Sequence, residues 1–128
     1  MERAHHLAFL VLVVMAQAGC VSVNKSVLDH SFGDRTVPAQ QVQVYFADDD
    51  IPEHTRVAIL NASGDSGFTD EGQMIDRLRE EAGKLGANAI VLDELREPGT
   101  GERVANALFS GVATGQRRAA AIAIYLDP

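Results

Sequence analysis

The segment DEGQMIDRLREEAGKLGANAIVLDEL, residues 70 to 95, leaves the chain the least freedom. Within it the apolar spacing changes from helical to extended across a single glycine. At about 100° per residue, Met74, Ile75, Leu78, Ala82 and Leu85 share one face, and Gln73, Asp76, Arg77, Glu80 and Lys84 take the other. The spacing predicts a helix over 71–85. Asp70 with Gln73 forms a capping box at its start, each side chain serving the other's backbone N–H. Arg77/Glu81 and Glu80/Lys84 are opposite charges at i,i+4, worth about 0.2–0.5 kcal/mol per pair. Gly86 stands where a left-handed residue ends a helix, because it has no Cβ to clash. NAIVLDEL, residues 88–95, then reads as a strand pressed beside its own helix. An apolar helical stripe next to a strand needs a sheet to cover it, so the expected class is α+β.

The other elements are shorter. Val42, Val44 and Phe46 alternate with Gln41, Gln43 and Tyr45, the period of a half-buried strand. DDDIPEH, residues 48–54, ends it, and RVAILNA, residues 56–62, is a second strand. Gly64, Ser66 and Gly67 mark a loop. In 96–116 Val104, Leu108 and Val112 have helical spacing, but Gly111 and Gly115 interrupt it, so a mobile loop with a short helix is expected. RRAAAIAIYL, residues 117–126, is the last strand, with Ile122, Ile124 and Leu126 expected to face inward. Ala121 and Ala123 are small enough to sit beneath a helix or at a subunit contact. The result is a β-β-α-β-β domain over 42–128, one amphipathic helix on a short mixed sheet. VSVNKSVLDHSFGDRTVPAQQ, residues 21–41, is polar and reads as a flexible tether.

Residues 7–16, LAFLVLVVMA, carry no charge but would span only about 15 Å as a helix, half of a bilayer's hydrocarbon core. Arg3 and the amino terminus before this run, with small residues after it, make 1–19 a secretory signal peptide. Ala18 and Gly19 directly before Cys20 resemble the lipobox of bacterial lipoproteins, although Gln17 stands where that family usually has an aliphatic residue. The resemblance implies a diacylglyceryl group on the Cys20 sulfur, cleavage between Gly19 and Cys20, and acylation of the new amino terminus. Cys20 is the only cysteine, so it cannot close a disulfide within the chain. Two readings compete with lipidation: an ordinary signal peptide with an incidental cysteine, and a reactive thiol. For the second the chain has four histidines, two of which, His5 and His6, would leave with the signal peptide. Val21 follows the cysteine where an Asp is associated with inner-membrane retention, which points to the outer membrane, facing the periplasm.

LREEAGKLGANAIVLDEL also resembles a group of small bacterial envelope domains, the RcsF and YbjQ-like proteins and related lipoproteins. The matching positions are Leu78, Arg79, Ala82, Leu85, Gly86, Ala87, Asn88, Ala89, Ile90 and Val91. The resemblance implies a helix packed on a small sheet and a structural role for the motif. Gly86 would turn the chain, Ala87 and Ala89 would let helix and strand approach, and Asn88 would hydrogen-bond within the turn. RcsF braces its domain with disulfides, which one cysteine cannot supply, so redox-braced sensing does not carry over.

A formal charge of −7 argues against nucleic acid, whose binding rests on basic residues meeting phosphate. GDSGF, residues 64–68, shares its first four letters with a protease nucleophile motif, but Phe68 replaces the glycine that allows close backbone approach. The chain is also too short for the two barrels that carry that triad. Asp48, Asp49, Asp50, Glu53 and His54 form an acidic turn, and Asp48, Asp50 and His54 are the candidate metal ligands. The glycine and spacing of a calcium loop are missing, and zinc wants more His or Cys. His30 has no evident partner. No phosphate loop or dinucleotide fingerprint is present, so no cofactor is expected. The sequence therefore points to a non-enzymatic, lipid-anchored envelope protein that presents a small domain to another envelope protein or to itself as a homo-oligomer. The alternative is a periplasmic metal-binding module using residues 48–54.

Overall fold

The computed structural model describes residues 20–65, 69–96 and 115–128. Strand β1 (Val21–Val27) leads through a 3₁₀ turn at Ala39–Gln41 into β2 (Gln43–Phe46) and β3 (His54–Asp65). Helix α1 (Glu71–Lys84), β4 (Ala89–Arg96) and β5 (Gln116–Leu126) complete the order. The five strands form one sheet in the order β1-β3-β5-β4-β2. Only the β2–β4 pair is parallel. β5 lies between β3 and β4 and runs against both, so β3-α1-β4 is a split β-α-β unit with the last strand inserted. The protein is thus a small α+β domain with one helix on a five-stranded mixed sheet.

Both ends of α1 follow the sequence. The Asp70 carboxylate accepts from Gln73 N at 2.7 Å, and Asp70 N donates to the Gln73 side chain at 3.1 Å. At the other end Ala87 N reaches Ala82 O and Gly86 N reaches Gly83 O, both at 3.1 Å. This is the Schellman pattern, with Gly86 at φ +85°. Met74, Leu78 and Ala82 are buried against Leu60, Ala62, Ile90, Leu92, Ala119, Ala121 and Ala123.

Residues 21–41 are not a tether. β1 pairs along its whole length with β3, Val21 opposite Gly64 and Val27 opposite Ala58. In VSVNKSV, Val21 and Val23 pack against the core under α1. The next residue on that face is Lys25, a charge that breaks the apolar alternation in the sequence. Its Nζ meets the Glu81 carboxylate of α1 at 3.1 Å, a partner fifty-six residues away. The chain then folds back against the C-terminal end of α1. The Phe32 and Tyr125 rings lie 5.0 Å apart, with the Arg35 guanidinium over both. Val37 N donates to Gly83 O at 2.9 Å. A Cβ at Gly83 would run into the Val37 carbonyl, and one at Gly86 into that of Phe32. The glycines of the helix end thus admit this segment as well as turning the chain.

The last strand packs on both faces, with Ile124 fully buried as expected but on the side away from the helix. Ala119, Ala121 and Ala123 lie beneath α1, while Ile122, Ile124 and Leu126 face the opposite side. The alanines meet the first of the two expectations for them, and they offer no small-residue surface to another subunit. Alternation along a strand does not say which face the helix will cover. Of the mobile loop and short helix expected in 96–116, Arg96 and Gln116 belong to β4 and β5, and 97–114 lie outside the described residues, as do residues 66–68 of GDSGF and signal peptide 1–19.

Candidate functional site: the Cys20 corner and the second sheet face

Cys20 is exposed and precedes β1 without an intervening residue. A broad groove of about 870 Å³ opens beside it between β1, the 3₁₀ turn and the outer face of α1. The α1 wall is self-paired: Arg77 meets Glu80 at 2.7 Å and Arg79 meets Asp76 at 3.6 Å. Arg79 also donates to the carbonyls of Gln40 and Val42, which ties the 3₁₀ turn to the helix. Hydrogen bonds from Arg77 and Lys84 hold the Glu80 carboxyl below its ordinary value. Deeper in, burial works to raise the Glu81 carboxyl, but hydrogen bonds from Lys25 and Lys84 outweigh it and leave it lowered.

The sheet face away from α1 is divided. Ala89, Val91 and Ile124 are buried there and are sealed by Tyr45, Ile51, Ile122 and Leu126. Ile51 comes from the acidic turn, so that segment is a cap on this cluster with its carboxylates in water. Asp48, Asp49 and Asp50 are all exposed. Asp49 accepts from Phe46 N at 2.7 Å, which closes the turn after β2. His54 Nδ1 lies 2.7 Å from the Pro52 carbonyl. Among the described residues no three His, Cys, Asp or Glu side chains gather as a metal set. Asp48, Asp50 and His54 are therefore neighbours in the chain that share no ligand geometry.

Towards the Cys20 end the same face becomes polar. The row Ser26, Ile59, Ile122, Val91, Tyr45 crosses the whole sheet. The next two rows begin Asn24, Asn61, Ala120 and Ser22, Ser63, Arg118. Asn24, Asn61, Ser63 and Arg118 border a shallow cavity of about 350 Å³. Ile59 is the exposed large apolar side chain beside it, at 41%.

Asn88 acts at longer range than a local turn residue. Its side chain accepts from Leu126 N at 2.7 Å and donates to Leu126 O at 3.1 Å. Its backbone bonds Ile124 O and Gln43 N as well. One residue thus locks the helix–strand junction to both β5 and β2. Sequence reasoning missed Glu81 and Lys25 as partners, and the only signal was a lysine inside an otherwise alternating run.

Among the described residues no helix is long and apolar enough to cross a membrane. No family model matches the chain, and no curated protein or solved structure matches it.

Proposed function

We propose that the chain is a non-enzymatic, lipid-anchored protein of the bacterial cell envelope, acylated at Cys20 and facing the periplasm from the outer membrane. The observation that carries this reading is the lone cysteine, preceded by Ala18 and Gly19 at the end of an apolar run too short to span. The exposure of Cys20 at the very start of the fold is compatible with it. Several acyl chains, each methylene contributing about 0.8 kcal/mol, anchor far more firmly than one. The domain would offer the polar half of its second sheet face, with Ile59 beside it, to an envelope protein or to a second copy.

Mass spectrometry of the mature protein from a bacterial host tests the anchor. A thioether-linked diacylglyceryl group on an N-terminal Cys20 is the expected product, and Cys20→Ser should release the protein from the membrane fraction. A mature chain with a free Cys20 thiol overturns the reading. Light scattering of the detergent-solubilised protein separates the two partner classes, since a second copy requires a concentration-dependent dimer.

A further inference from the structure

We propose that the domain sits directly on the lipid headgroup layer, with the Cys20 corner as its membrane-contacting surface. This rests on lipidation of Cys20 and concerns what the anchor does to the domain. A free tether over 21–41 would let the domain stand about 25 Å from its anchor. The structure removes that reach, because Val21 is already paired with Gly64. Adjacent Cα atoms are about 3.8 Å apart, so a lipid on Cys20 holds the first residue of the sheet at the bilayer surface.

The surface around Cys20 suits a headgroup layer. Its groove is lined by Ala39, Gln40 and Gln73 together with the ion-paired Asp76, Arg77, Arg79 and Glu80. The two acidic and two basic side chains of this groove sum to zero on a chain of charge −7, so the groove itself offers lipid phosphates no net repulsion. Neither Leu28 nor Phe46, both more than half exposed, lines this groove, so the patch lies on headgroups and does not insert into the hydrocarbon. The opposite end of the sheet is carried away by β3, from Gly64 beside Val21 to His54 beside Leu126, about 30 Å at strand spacing. A partner of this protein would therefore have to come to the membrane surface.

The full lipidated protein, in vesicles of phosphatidylethanolamine and phosphatidylglycerol, supplies the test. Lipidation consumes the Cys20 thiol, so Ser22→Cys, at an exposed position opposite Ser63, and Asp127→Cys can each take a thiol-reactive fluorophore without a second label. A headgroup spin-labelled lipid should quench the Ser22 position at least threefold more than the Asp127 position. Inserting twenty Gly/Ser residues between Cys20 and Val21 should erase that difference. Equal quenching at the two positions, in protein whose acylation mass spectrometry confirms, overturns the seating while leaving the anchor intact. Absence of the acyl mass, with the fluorophore found on Cys20, overturns the anchor itself and the seating with it.

Discussion

The two faces of the sheet are built from the same strands but solve different problems. Under α1 the last strand supplies Ala119, Ala121 and Ala123, and the larger side chains come from the helix and from β3 and β4. On the other face the same strand supplies Ile122 and Ile124, and what covers them is Ile51 with Tyr45 and Leu126. Beneath the helix only the central strand β5 is small, while Leu60, Ile90 and Leu92 of its neighbours join Met74 and Leu78 in filling the volume. A single loop residue brings little, so the sheet must supply the volume itself. On β5 the larger apolar residues therefore face away from the main core, whereas on β3 and β4 Leu60, Ile90 and Leu92 face into it.

Adjacent residues on opposite faces give the sharpest way to break this comparison. Leu60 is fully buried under α1, whereas Ile59 is 41% exposed. Leu60→Ala should cost about 2–5 kcal/mol in urea unfolding, and Ile59→Ala no more than about 1 kcal/mol. Similar losses at the two positions would mean that the second face is covered as fully as the first. Added volume should separate the faces in the opposite sense. Ala121→Leu forces a larger side chain beneath the helix and should destabilise by about 1–3 kcal/mol. Ile122→Met on the other face should cost less than about 1.5 kcal/mol. Equal thermal shifts for these two would remove the helix as the cause of the alanine face.

The smallest expected effect concerns the ion pairs that tie β1 to α1. Glu81 has a carboxyl lowered below 4.5 in the folded state by Lys25 and Lys84. Its stabilising share is therefore complete above the unfolded value and is lost as pH falls through the folded one. Glu81→Gln should flatten the acid side of the Tm–pH curve below about pH 4.5. At pH 7 it should cost no more than about 1 kcal/mol, because Lys25 and Lys84 are both nearly half exposed. An unchanged acid limb would show that the Glu81 ion pairs add nothing to the β3 ladder and the packing of Val21 and Val23 in holding β1.

The comparison also explains what was legible in the residues. Asp70, Gln73 and Gly86 act through neighbours within a turn, so the limits of α1 and its tight exit could be read directly. Lys25 could not be read that way, because its partner on α1 is distant in sequence and the run around it looks like solvated chain. The packing of the acidic turn was hidden for a related reason. Its charges stand out in the sequence, while Ile51, which packs the segment onto the second cluster, does not.

By itself the amino-acid order determined the helix, its caps, the class of fold and an N-terminal pattern that resembles a lipoprotein signal. Those features depend on interactions within a few residues, where spacing is geometry. Only the tertiary structure decided that residues 21–27 are a strand, that the alanines of β5 lie under the helix, and that Cys20 adjoins the sheet with no slack. Each of these depends on which distant segment supplies hydrogen bonds and volume, and period-two alternation carries no label for the face that will be covered.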